Sequence, residues 1–175
     1  DVFEHIKSKL STLHIMGLIS DGGVHSHIKH FKSILLLARA YNIKKVAVHA
    51  FMDGRDTSPT SGIRYIKQLE SYLDVEDDYR IATICGRYYS MDRDNRWDRI
   101  ELAYRMLIHA EGEVVDDPSL AIHNSYEAGI TDEFIRPTII GNSCPITDGD
   151  GVLTLNFRAD RMRQICEALS FRSFT

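Results

Sequence analysis

The amino-acid sequence predicts an α/β fold, a three-layer sandwich with a largely parallel central sheet, on two observations. First, short continuous apolar runs of strand length alternate with longer stretches of helical apolar period, the arrangement that builds βαβ units. Runs that are apolar throughout belong to strands covered on both faces. Second, the four strongest runs end in glycine, histidine, aspartate or arginine. Residues 13–19 lead to Asp21, Gly22, Gly23 and His25, residues 45–51 to Asp53, Gly54, Arg55 and Asp56, residues 80–85 to Gly86 and Arg87, and residues 152–157 to Arg158, Asp160 and Arg161. Open α/β sheets hold ligands beyond the carboxyl ends of their strands. His25, Arg55, Asp56, Arg87, Arg158 and Arg161, with Arg93 shortly after the third strand, are therefore predicted to converge on one small anion.

In chain order, residues 1–11 set Val2, Phe3, Ile6 and Leu10 at near-helical spacing and predict a short linker helix. After the first strand, Gly22 and Gly23 permit close ligand approach. A helix over 25–41 then carries Ile28, Phe31, Ile34, Leu35 and Ala38 on one face. Ser58 and Pro59 predict the N-cap and first-turn proline of the next helix, lined by Ile63, Ile66, Leu69 and Leu73. Residues 74–78 are an acidic connector. A helix over 95–110 turns Trp97, Ile100, Tyr104 and Leu107 inward, and another runs from Asp117 and Pro118 to Gly129, suited to a C-cap. Residues 135–140 predict a strand that Pro137 confines to an edge. A loop over 141–151, the fourth strand and a last helix over 159–169 complete the chain.

A chain of 175 residues suffices for one domain with a sizeable core. Its formal net charge of -4 argues against nucleic acid as a partner, since a general polyanion binder carries a basic excess. No apolar run approaches the roughly 20 residues that cross a bilayer, and no leader-like segment is visible, so no membrane partner is expected. Cys85, Cys144 and Cys166 are odd in number and lack C-x-x-C spacing, which fits reduced thiols and a cytoplasmic location.

Each motif has a plainer account beside the functional one. His25 and His27 could ligate a metal, but polar residues at a helix start are the simpler reading. Asp148 and Asp150 resemble half of a calcium loop, yet Leu153 and Ala159 stand where a glycine and a bidentate glutamate belong, which favours a tight turn. Arg55 beside Asp56 could be a surface ion pair, worth about 0–1 kcal/mol. Arg158 and Arg161, expected at i and i+3 on a helix start, put positive charge where the helix dipole disfavours it. A bound carboxylate or phosphate would explain that placement, since arginine offers both of them two parallel bonds.

Five strings in register carry a more specific signal: Ser20 to His27 (SDGGVHSH), His49 to Pro59 (HAFMDGRDTSP), Gly86 to Asp94 (GRYYSMDRD), Asn95 to Asp98 (NRWD) and Asn156 to Arg161 (NFRADR). Together they resemble the cofactor-independent (2,3-bisphosphoglycerate-independent) phosphoglycerate mutase family, from about residue 13 to the last helix. The resemblance implies a two-domain enzyme that interconverts 3-phosphoglycerate and 2-phosphoglycerate through a phosphoserine intermediate. A phosphatase-like domain with two manganese ions and a nucleophilic serine would take the phosphoryl group. Residues 1–175 resemble only the substrate-binding (transferase) domain, which holds glycerate while it reorients. By motif, His25, Arg55, Asp56, Arg87, Arg93, Arg158 and Arg161 match substrate-contacting positions, with Asp56 as general base or acid and His25 assisting. The metal ligands and the serine would lie in the missing metal domain, so this chain is expected to hold no metal and to be inactive alone. The rivals are a self-sufficient metal-dependent phosphohydrolase using His25, His27 and the loop at Asp148, and a non-enzymatic binder of phosphorylated carboxylic acids.

Overall fold

The computed structural model describes residues 2–73 and 77–171. The connector expected at 74–78 lies for the most part outside the described residues. Helix α1 (Val2–Lys9) leads to strand β1 (Leu13–Ile19), followed by α2 (Ile28–Ala40), β2 (Lys45–Met52), α3 (Gly62–Glu70) and β3 (Asp78–Gly86). One short turn of helix, α4 (Arg87–Ser90), precedes α5 (Trp97–His109), β4 (Glu113–Val115) and α6 (Pro118–Glu127). A 3₁₀ turn (Asp132–Phe134), β5 (Thr138–Ile140), β6 (Gly151–Thr154) and α7 (Arg163–Ser170) complete it.

The six strands lie in the order β4-β5-β3-β2-β1-β6. All pairs are parallel except β3 with β5. Successive strand residues point to opposite faces, and here both faces are apolar, which is why β1 is buried at every position. Leu13, Ile15 and Ile19 join a core under α1, α2, α3 and α6, while Met16 and Leu18 join a second core under α5 and α7. These two cores on opposite faces make the three layers. Because β6 returns on the far side of β1 from β2, the strand order reverses between β1 and β6, and a crevice opens at their carboxyl ends.

Several expected boundaries move, each for a tertiary reason. Ser58 and Pro59 form a turn instead of a cap. Helix α3 starts at Gly62, whose N–H is capped by Asp132 Oδ2 at 2.8 Å. Pro137 does not mark a sheet edge. It lies just before β5, which is internal because the three-residue β4, too short to show in the sequence, takes the edge. Strand β6 stops at Thr154, since the chain then leaves the sheet and Phe157 N–H donates to the His25 carbonyl at 2.9 Å. The expected linker helix α1 buries Phe3 and Ile6 in the core.

A polar chain crosses the sheet from the amino end of β1 to the middle of β2 and β3. Asp150 Oδ2 lies 3.3 Å from His14 Nε2, His14 Nδ1 lies 2.9 Å from His49 Nε2, and His49 Nδ1 lies 2.9 Å from Thr83 Oγ1. A carboxylate only accepts, so His14 carries its proton on Nε2, His49 donates to His14, and the Thr83 hydroxyl donates to His49. Every link then holds one proton and both rings are neutral. Burial holds both pKa values below the ordinary 6.5, well below for His49, against the weaker upward pull of Asp150 on His14.

This fixes the sign of a pH effect. Below about pH 6.5 the unfolded chain takes up protons that the folded imidazoles refuse, so stability falls with pH. Asp132, pushed up to about 6 by burial, opposes this as a single group. The urea midpoint is expected to drop between pH 7.5 and pH 5; a flat or rising profile would refute neutral burial of the two rings.

Candidate functional site

The centre of the site is a buried ion pair. Asp53, at the exit of β2, and Arg87, at the exit of β3, have side chains 1% and 3% exposed, and Arg87 Nη1 donates to Asp53 Oδ1 at 2.7 Å. Asp53 also accepts from the Ser20 hydroxyl at 2.7 Å and from the N–H groups of Arg55 and Asp56 at 3.2 and 3.0 Å. Burial pushes its carboxyl up, but the Asp56 N–H, Ser20 and Arg87 outweigh it and hold it below the usual carboxylate range. One carboxylate thus joins the exits of β1, β2 and β3 and shapes the turn that presents Arg55 and Asp56.

Two glycines let the 3₁₀ turn close on this frame. A Cβ on Gly54, whose φ is +67°, would lie 2.8 Å from Glu133 N, and one on Gly86 would lie 2.2 Å from Glu133 O. Glu133 is thereby brought to 3.4 Å from Arg55. Arg55 and Asp56, adjacent in sequence, have different partners: Arg55 meets Glu133, and Asp56 Oδ2 accepts from Arg87 Nη1 at 2.7 Å.

The loop after β6 supplies the other wall. Its Arg158 and Arg161 precede α7, which begins only at Arg163, so they do not share a helical face, although Arg161 adjoins the N-cap Met162. Arg158 and Arg93 both donate to Asp160 Oδ2, at 3.0 and 2.9 Å. Arg161 donates to the Met91 carbonyl at 3.1 Å, and no carboxylate among the described residues pairs with it. Its pKa is lowered by burial and then by Arg87, Arg93 and Arg55. His25, 3% exposed, stands between the walls with Nε2 3.9 Å from Asp56 Oδ2 and Nδ1 3.9 Å from Asp160 Oδ1. Burial and then Arg87 lower its pKa, against Asp56 and Asp160, so the ring is neutral at pH 7.

All seven residues singled out in the sequence therefore gather at one end of the sheet. Sequence reasoning missed the acidic half: Asp53, Glu133 and Asp160 offset most of the arginine charge. The signal was present in the alternation of Asp and Arg within 53–56 and 158–161, but which acid meets which base depends on contacts between loops. Arg55, Arg87, Arg161, Arg99, Tyr88 and Glu133 line part of a cleft of about 40 Å³. A larger hollow of about 560 Å³ at the β4–β5 edge gathers Arg105, Arg136, Glu111 and Glu113 but none of the seven residues singled out in the sequence, and one of about 300 Å³ beside Lys7 and Lys45 has no acid in its lining.

Among the described residues no three His, Cys, Asp or Glu side chains converge to hold a metal ion. His27 does not pair with His25; its Nδ1 accepts the Lys29 N–H and caps α2. Asp150 closes a turn with Thr147 beside the start of β6, at the opposite end of the strands. The donor set of the phosphohydrolase rival is thus divided between the two ends of the sheet. Among the described residues no helix is long and apolar enough to cross a membrane.

Fold and cleft together define an α/β domain with an acid-base cluster at the carboxyl ends of a largely parallel sheet. The family model described as the BPG-independent PGAM N-terminus matches residues 1–175. The 2,3-bisphosphoglycerate-independent phosphoglycerate mutase of Nitratidesulfovibrio vulgaris is 51% identical over 168 residues, covering 94% of this chain and 33% of that protein. The Thermomicrobium roseum protein of the same name is 52% identical over 164 residues, covering 91% of this chain and 31% of its own length. The structure of Leishmania mexicana phosphoglycerate mutase at low cobalt concentration matches with a TM-score of 0.93 at 33% identity, over 99% of this chain and 34% of that one. The chain belongs to the BPG-independent phosphoglycerate mutase family, as its N-terminal domain, and spans about a third of the length of the curated relatives it matches.

The Asp53–Arg87 pair sets the first expectation for the site. Asp53→Asn leaves Arg87 with Asp56 as its carboxylate partner and is expected to cost about 3 kcal/mol of stability in urea unfolding. The exposed control Glu4→Gln should stay within about 0.5 kcal/mol. Equal values would remove the pair from its structural role.

Proposed function

We propose that residues 1–175 form the substrate-binding domain of a cofactor-independent phosphoglycerate mutase and hold 3-phosphoglycerate and 2-phosphoglycerate against the arginine cleft. The observation that carries this reading is the juxtaposition of Arg161, which has no carboxylate partner among the described residues, with the Asp53–Arg87–Asp56 frame and neutral His25. Arg161 offers an anion the first contact, while Arg55, Arg93 and Arg158 lie where they can be recruited to carboxylate or phosphate oxygens. Asp56 is 21% exposed and can reach a ligand hydroxyl as general base or acid. The neutral ring of His25, 3.9 Å from Asp56 Oδ2, can take up or return the proton.

The cleft, about 40 Å³, is too small to enclose a phosphoglycerate by itself. We assign the opposing half, with two manganese ions and the serine that carries the phosphoryl group, to the remainder of the full-length protein. Bound there, the metals would activate that serine and neutralise phosphate charge. This chain's residues bind and orient the glycerate. The protein acts in the cytoplasm on this reading, with no nucleic-acid or membrane partner.

Calorimetric titration of 3-phosphoglycerate into the chain tests it, beside an Arg158→Ala, Arg161→Ala double variant. Binding is expected in the first and a loss of at least about tenfold in the second, since each charge-assisted contact is worth about 1.5–3 kcal/mol. Equal binding in the two would place the ligand elsewhere. Mutase assays of the chain with manganese should show no turnover; conversion of 3-phosphoglycerate would favour the self-sufficient rival.

A further inference from the structure

His25 and Asp160 share an unfinished hydrogen bond. His25 Nδ1 and Asp160 Oδ1 are both shielded from solvent, neither has an aligned partner, and they face each other at 3.9 Å. Both ring nitrogens stand beyond hydrogen-bond length from their carboxylates, Nδ1 from Asp160 Oδ1 and Nε2 from Asp56 Oδ2, so neither carboxylate fixes the imidazole proton in the empty site. Asp160 is held back by its other contacts. Its Oδ2 accepts from Arg93 and Arg158 at 2.9 and 3.0 Å, and Arg158 Nε lies 2.9 Å from Oδ1.

Those contacts are exchangeable. Arg93 and Arg158 are 44% and 46% exposed and Asp160 30%, whereas Arg87 is 3% exposed. Pairs this open to solvent contribute little, and a ligand phosphate or carboxylate presents both guanidiniums with the same acceptor geometry. Once released, Asp160 needs to move its Oδ1 only about 1 Å to reach hydrogen-bond length from His25 Nδ1.

We propose that Asp160 is a displaceable positioning carboxylate, which occupies Arg93 and Arg158 in the empty site and, when a ligand anion takes them, closes on His25 Nδ1. The single ring proton is then held on Nδ1, any share on Nε2 having exchanged through solvent, and Nε2 is left a bare acceptor facing Asp56 and the ligand hydroxyl. Binding and the arming of His25 become one event. The inference rests on the function proposed above, because the displacing anion is the substrate's.

The experiment titrates 3-phosphoglycerate, and separately inorganic phosphate, into the chain and into Asp160→Asn, with ¹⁵N chemical shifts of the His25 ring followed in both. With the competing carboxylate gone, the variant is expected to bind each probe about threefold to tenfold more tightly. In the unsubstituted chain ligand addition should raise the share of the ring proton held on Nδ1; in the variant this response should be lost. Affinity unchanged or weaker in the variant, or a His25 tautomer indifferent to ligand, overturns the proposal and leaves the functional reading standing. Phosphate bound as well as 3-phosphoglycerate overturns the substrate assignment, and the displacement is then judged on the phosphate arm alone. Failure of both probes in both chains overturns both. The imidazole measurement on the unsubstituted chain needs no variant to fold.

Discussion

The site depends on one carboxylate removed from water. Taking Asp53 and Arg87 into the interior costs several kcal/mol per ion, and their mutual attraction offsets that only if the remaining lone pairs and protons also find partners. The Ser20 hydroxyl and the N–H groups of Arg55 and Asp56 provide those partners for Asp53. The requirement ties three loops together: Ser20 follows β1, the Arg55–Asp56 turn follows β2, and Arg87 follows β3. Because desolvation punishes any loop that withdraws, their relative positions are stiff where the chemistry needs them stiff.

Stiffness at the centre contrasts with exchangeability at the rim. Arg55, Arg93 and Arg158 pair with Glu133 and Asp160 in settings open to solvent, where ion pairs are weak and ligand anions compete on equal terms. A cleft of uncompensated arginines would repel itself and attract any anion. Here the acids hold the arginines in position and discount unselective binding, and Arg161, flanked by three other arginines, concentrates the remaining positive field. A net charge of -4 for the whole chain is consistent with this local compensation.

The interior of the sheet shows the same logic applied to structure. Two imidazoles in a closed-packed sheet are tolerated because Asp150 and Thr83 complete their hydrogen-bond chain. Asp150 thereby couples the loop before β6 to the sheet interior, and β6 flanks β1 at the crevice, so both ends of the strands are registered by polar groups within an apolar frame.

The sequence by itself determined the elements whose signal is local. Apolar runs at 13–19 and 45–51 became β1 and β2 almost residue for residue, because a strand buried on both faces must be apolar throughout. The periodic face of Phe31, Leu35 and Ala38 became the buried side of α2 for the same reason. It also determined that His25, Arg55, Asp56, Arg87, Arg93, Arg158 and Arg161 would meet, since parallel strands bring their exits to one end. Tertiary structure decided what has no local signature: a three-residue edge strand held only by its pairing with β5, a helix start set by Asp132 about 70 positions away in the chain, and the early end of β6 where Phe157 turns to the His25 carbonyl. It decided the partners of the charges as well. Adjacent Arg55 and Asp56 part company to meet Glu133 and Arg87, because ion pairing follows distance in space and the price of desolvation, neither of which is written in spacing along the chain.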